Sequence, residues 1–286
     1  MFGRSRIQTK TDDQIRAMRR AGLVVGRTLQ MLSEELRDGM TTGRLDELAE
    51  TFIRDHGMFP NFAEVPGYRH TLCVSVGEQI VHGIPGDRVL RDGDLVSVDC
   101  GCYVVEDGTQ WHGDAARTFF VGGREAARPA ELALSDATEA SLWAGIAALR
   151  VGGRLHDVGA AVEDSIEAAG QRDGVDYGIV EDYVGHGIGT AMHMDPQVYN
   201  YRVRDRGPAV RSGVTLAIEP MITLGSADNH VLADEWTVVT DDGSAASHWE
   251  NSVAVTDAGL WVLTEVDGGA ERLRAAGAAY GPLDQP

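Results

Sequence analysis

Two stretches of helical periodicity, each closed by a similar short junction and each followed by strands, constrain this chain more than any other feature. Thr11-Asp12-Asp13-Gln14 has the form of a capping box, and Ile15, Met18, Gly22, Val25, Leu29, Leu32 and Leu36 follow at alternating steps of three and four. That spacing predicts a long amphipathic helix closed near Gly39. A second helix is expected from about 42 to 56, with Leu45, Leu48, Phe52 and Ile53 on its buried face and Gly57 as its stop. The pattern then returns: a helix after Pro129 carries Leu132, Leu142, Trp143, Ile146 and Leu149, and a fourth runs from about 155 to 169. Leu36-Arg37-Asp38-Gly39 before Arg44-Leu45 echoes Leu149-Arg150-Val151-Gly152 before Arg154-Leu155, which hints at an internal duplication of helix pair plus strands.

The intervening segments alternate in strand fashion at 72–76, 95–105, 111–121, 214–220, 236–240 and 249–256. Helix pairs and strand groups are thus segregated, so the expected fold class is α+β with mostly antiparallel strands. A length of 286 residues with 43% hydrophobic content is enough for one large core, and residues 1–265 are expected to form a single domain. The remainder, 266–286, is rich in Gly and Ala and is expected to be a loose tail.

Charge narrows the partners. A net charge of -19 disfavours sequence-independent binding to nucleic acid, which is driven by basic surface, so no specific nucleic-acid partner is expected. No apolar run is long enough to span a bilayer, and Met1-Phe2-Gly3-Arg4-Ser5-Arg6 lacks the apolar stretch of a signal peptide, so a cytoplasmic protein is expected. Cys73, Cys100 and Cys102 lack paired CxxC spacing and are read as reduced, mostly buried thiols.

Asp99 ends the apolar strand Leu95-Val96-Ser97-Val98, and the chain turns near Asp107-Gly108 before returning through His112-Gly113-Asp114. If Asp107-Gly108 forms a two-residue turn pairing Glu106 with Thr109, Asp99 faces Ala116. Asp114 is then two residues away, and the two carboxylates share one face as diagonal neighbours. A lone aspartate is ordinarily a solvated turn residue, but two carboxylates this close in apolar surroundings call for a cation. His186 sits among Gly185, Gly187 and Gly189, Glu219 ends an apolar strand before Pro220, and Glu250 lies in another apolar strand. Four carboxylates and one imidazole match two divalent cations, with Mn²⁺, Fe²⁺, Co²⁺ or Zn²⁺ all acceptable. Such a pair can share a bridging water, lower its pKa to give hydroxide, and polarise a carbonyl, which is the chemistry of amide hydrolysis.

These residues resemble the type I methionine aminopeptidases, which share the pita-bread fold with prolidase, aminopeptidase P and creatinase. The resemblance covers about residues 7 to 263. It is carried by Val81-His82-Gly83-Ile84-Pro85, Asp94-Leu95-Val96-Ser97-Val98-Asp99, His112-Gly113-Asp114, Gly185-His186-Gly187-Ile188-Gly189, Pro196-Gln197-Val198, Ile218-Glu219-Pro220-Met221 and the strand of Glu250. It implies two pseudo-symmetric halves with antiparallel sheet inside and helices outside. It also implies removal of amino-terminal methionine from proteins and peptides with a small second residue, through a metal-bridging hydroxide.

The residues matching the family's ligands to two metal ions are Asp99, Asp114, His186, Glu219 and Glu250, with Glu219 also shuttling protons. His82 and His193 match two histidines that are not ligands, the first touching substrate or leaving amine and the second bonding the scissile carbonyl. Tyr68, Cys73 and Trp236 match the methionine pocket. Phe62, Val65 and Met192 depart from it, and the hairpin between Asp99 and Asp114 is longer than usual. The implied partners are the amino termini of nascent proteins, met by a monomer. A prolidase or aminopeptidase P usually carries a further amino-terminal domain, for which too little chain precedes Asp99.

Overall fold

A computed structural model describes residues 7–283 of the chain. The six residues used above against a signal peptide lie outside the described residues.

Helix α1 (Asp12–Glu35) opens on the expected capping box, with Thr11 Oγ1 accepting from the Gln14 N–H and the Gln14 side chain accepting from the Thr11 N–H. Its buried stripe includes Ile15, Met18, Val25, Leu29 and Leu32. Full burial of an aliphatic side chain of this kind contributes about 1.5–3 kcal/mol, enough to fix which face turns inward. Helix α2 (Thr42–Asp55) starts on Thr41, whose side chain accepts from the Arg44 N–H.

These helices cover the first sheet, made of strands β1 (Leu72–Val76), β2 (Leu95–Glu106) and β3 (Thr109–Phe120) with the short strand Phe59–Pro60. The β2–β3 hairpin has the register the two-residue turn demands: Glu106 faces Thr109, Asp99 faces Ala116 and Gly101 faces Asp114. Asp107 and Gly108, both at positive φ, make the turn.

The second half repeats the plan. Helices α3 (Pro129–Ala148) and α4 (Asp157–Asp173) pack together, α3 starting on Pro129 and α4 stopping on left-handed Gly174. They cover a five-stranded antiparallel sheet that contains β4 (Gly185–Gly187), β5 (Met194–Val198), β6 (Thr215–Ile218), β9 (Asn251–Val255) and β10 (Leu260–Val262), in the order β10-β9-β6-β4-β5. Between them, β7 (Met221–Thr223) pairs with β8 (Ala246–His248). The strand expected over 214–220 is broken: it stops at Ile218 and resumes at Met221, because Pro220 has no N–H for the ladder. Each half has its own apolar cluster, and the α+β pita-bread class holds.

The halves meet along β3 and β9. Ala116 and Glu250 exchange backbone hydrogen bonds of 3.3 and 3.0 Å, and Ser252 Oγ bridges the Asp114 N–H and carbonyl at 3.1 and 2.8 Å. Gly113 lets α1 press on this seam, since a Cβ there would lie 2.7 Å from the Gly22 nitrogen.

The carboxyl-terminal segment differs from the loose tail expected over 266–286. Helix α5 (Ala270–Ala275) buries Leu273, Arg272 stacks on Trp143, and Leu260 bridges Tyr280. A few apolar anchors hold it, which a count of Gly and Ala hides. Its last three residues lie outside the described residues.

Candidate metal centre

The hairpin delivers Asp99 and Asp114 from the first half. The second half delivers His186 from β4, Glu219 from the end of β6 and Glu250 from the entry to β9. All five line one cavity of about 150 Å³, together with Phe62, Val65, Tyr68, Cys73, Val81, His82, Met192, His193 and Trp236. Every residue that the sequence singled out for the site is therefore in one place.

Ligand atoms of Asp99, Asp114 and Glu250 lie within 4.8 Å of one another, and so do those of His186, Glu219 and Glu250. The two groups share Glu250. A third group of the same spread joins Asp114 and His186 to His193, so His193 stands within reach of the ligands as well as of the open side. His186 Nδ1 lies 2.9 Å from the Gly187 carbonyl and donates to it, which leaves the Nε2 lone pair facing Glu219 Oε1 at 3.6 Å. Glycines around His186 allow this packing: a Cβ on Gly187 would sit 2.2 Å from the Asp195 carbonyl oxygen.

Electrostatics carry the same message. Burial pushes the Asp99 carboxyl up to about 7. Asp114 is pushed well up by burial and then by the charges of Glu250 and Asp99, Glu219 by burial and then Asp99 and Asp114, and Glu250 by burial and then Glu219 and Asp99. One oxygen on each of Asp99, Asp114 and Glu250 is buried without a hydrogen-bond partner. Acceptors stranded in this way are costly unless something positive meets them. Burial also holds His186 and His82 down at about 4 and lowers His193, so the imidazoles are neutral and each keeps one lone pair and one N–H. The donor set fits divalent metal ions.

His82 has a left-handed backbone, φ 59°, and packs edge-on against Tyr183 at 5.5 Å and Trp236 at 6.5 Å. A non-glycine residue held at positive φ is a mark of a constrained site. The apolar wall is Phe62, Tyr68, Cys73 and Met192, backed by Val65, Ile84 and Trp236. Cys73 sits opposite Asp99 in the β1–β2 pair, which sets the pocket directly beside the carboxylates. All three cysteines are free and buried, as expected.

Four supporting residues escaped the sequence reading. Arg117 donates to the Glu250 carbonyl at 2.5 Å, to Asn251 Oδ1 at 2.8 Å and to Glu265 at 2.5 Å, and lies over Trp249. Asn200 Nδ2 donates to the Glu219 carbonyl at 3.0 Å. His112, two residues from Asp114, has Nδ1 2.9 Å from Asn61 Oδ1. Buried His248 stands 3.9 Å from Glu219. Only His112 lay in a recognised motif; the others are brought in by tertiary contacts.

A catalytic centre of this build on a pita-bread fold defines a class, and the chain belongs to the metallopeptidase family M24, whose model matches residues 16–257. Within it, the chain is 49% identical to methionine aminopeptidase 1 of Mycobacterium tuberculosis over 263 residues, 92% of this chain and 96% of the relative. It is 43% identical to the methionine aminopeptidase of Clostridium acetobutylicum over 89% of this chain and 97% of the relative. The crystal structure of the methionine aminopeptidase from Thermotoga maritima superimposes with a TM-score of 0.83 at 35% identity, covering 91% of this chain and all of that one. Divalent metal use goes with the family.

Proposed function

We propose that this chain is a methionine aminopeptidase that hydrolyses the bond after an amino-terminal methionine when the second residue is small. The observation that carries the reading is the ligand set: two groups of ligands sharing Glu250, at the floor of an apolar pocket. Its relatives' names agree. In this reading, residues 1–265 act as one catalytic domain, in the cytosol, as a monomer working on nascent proteins.

Asp99, Asp114, His186, Glu219 and Glu250 hold two divalent ions, with Co²⁺, Mn²⁺, Fe²⁺ and Zn²⁺ as candidates. When bound, these ions activate water and polarise the amide carbonyl. The pocket, about 150 Å³, takes one side chain rather than a long ligand, and its wall of Tyr68, Cys73, Phe62, Met192 and Trp236 suits an unbranched thioether. Neutral His193 donates a hydrogen bond to the carbonyl oxygen as negative charge builds there. His82, on the Trp236 side, contacts the substrate and the leaving amine. Glu219 carries the proton from attacking water towards that amine.

The test is metal content after mild purification, followed by release of methionine from a Met-Ala-Ser peptide with each of the four metals. Methionine release that a chelator abolishes is expected. Absence of release with every metal, or faster cleavage before proline, would overturn the reading.

A further inference from the structure

We propose that His248 is a positioning residue for Glu219, its Nε2–H fixing the carboxylate oxygen that does not face His186. This rests on the reading of Glu219 as a ligand and proton carrier. His248 is 1% exposed, and its backbone is clamped on both sides. The N–H donates to Ser97 Oγ at 3.3 Å and Thr118 Oγ1 at 3.2 Å, the carbonyl accepts from Thr118 Oγ1 at 2.9 Å, and the residue pairs with Met221 across β7 and β8. Since Met221 follows Glu219 by two residues, the same pairing that fixes His248 fixes the end of β6. These contacts fix where the imidazole starts from, and its burial leaves it room for small rotations only.

Its Nε2 is buried with no hydrogen-bond partner and lies 3.9 Å from Glu219 Oε2, while Oε1 faces His186 Nε2 at 3.6 Å. The two oxygens of Glu219 thus look at two different histidines. Among the described residues no hydrogen bond reaches either of them. A protonated carboxyl tolerates that arrangement, but an ionised one needs a donor on the oxygen turned away from the ligands. At 3.9 Å the contact is too long for a hydrogen bond, and closing it needs a shift of about 1 Å, within reach of a small side-chain rotation. Held so, Oε1 stays directed at the ligand set and Oε2 keeps a defined lone pair for the proton. Without the donor the carboxylate can rotate and exchange its oxygens, and both ligation and proton transfer lose their geometry.

The experiment compares His248→Leu and His248→Gln in the metal-loaded enzyme, since a glutamine amide nitrogen reaches nearly as far as Nε2. Three quantities are measured: kcat and KM on Met-Ala-Ser, the affinity of the stripped protein for Co²⁺, and the visible absorption of bound Co²⁺. Leucine is expected to lower kcat by about 10- to 100-fold, change KM little and alter the Co²⁺ spectrum, with glutamine restoring most of each. Should the leucine variant not fold, His248→Asn, whose shorter amide stops short of Glu219, takes its place. Equal impairment of the short or apolar variant and the glutamine variant would mean a packing role and overturn the proposal. So would a leucine variant with wild-type kcat and spectrum. If the wild-type protein itself bound no Co²⁺, the failure would lie with the reading of Glu219 instead, which the wild-type arm exposes.

Discussion

Stripping the metals should make the fold sensitive to pH in a direction opposite to that of most acidic proteins. The Asp99 carboxyl moves from an ordinary 3.8 to about 7 on folding, chiefly through burial. Between these values the folded chain holds a proton that the unfolded chain has lost, so stability falls as pH rises. The contribution is fully present below the unfolded pKa and is lost as pH climbs through about 7. About three units at 1.36 kcal/mol each set an upper bound of about 4 kcal/mol, which belongs to Asp99 and Asp114 together because the two titrate as one system, against the 5–15 kcal/mol that holds a typical domain. Glu219 and Glu250 are shifted the same way and add to the slope. The assay is thermal unfolding of chelator-treated protein from pH 4.5 to 8, with and without added Mn²⁺, alongside Asp99→Asn. The stripped wild type should lose stability steadily across this range, Mn²⁺ should restore it at the alkaline end, and the variant should show a shallower decline. A stripped protein whose stability is flat or rises between pH 5 and 7 would refute the reasoning.

Three further outcomes are expected. Asp99→Asn or Glu250→Gln should lose most activity together with bound metal, measured by elemental analysis of the folded variant. His193→Ala should lower kcat by about 10²-fold with metal content nearly unchanged, because a carbonyl donor is lost while the five ligands remain; single-turnover kinetics with metal analysis checks it. Leu273→Ala should cost about 2–4 kcal/mol in denaturant unfolding, since the α5 side chain is fully buried, whereas a loose tail would give no change.

The hairpin is the part of the site most legible in sequence. A two-residue turn leaves no freedom in the count, so placing Asp107-Gly108 at the tip fixed Asp99 against Ala116 eight pairs away. The capping box of α1 was equally local. Convergence of His186, Glu219 and Glu250 on that hairpin needed the recognised motifs, because nothing in their separate strands says that they meet. His248 and Arg117 were invisible for a physical reason: one acts from a three-residue strand too short to show periodicity, the other through a carbonyl of Glu250, and backbone acceptors have no sequence signature. The tail was misjudged because α5 is held by Leu273 and the stacking of Arg272 on Trp143, and composition averages over such anchors.

The Ala116–Glu250 seam has a consequence for how the centre comes into being. Asp99 and Asp114 belong to one half, His186, Glu219 and Glu250 to the other, and each half packs around its own apolar cluster. Neither half alone carries the whole proposed donor set. Metal held across both sets would therefore add to the backbone seam, and without it the carboxylates would oppose that joint only where pH is high enough to ionise them, for Asp99 above about 7. The two halves are already joined by that seam and by a shared apolar cluster of Ile15, Met18 and Trp111 with Ile188, Ala254 and Trp261, so the charged centre sits on a joint that packing has made.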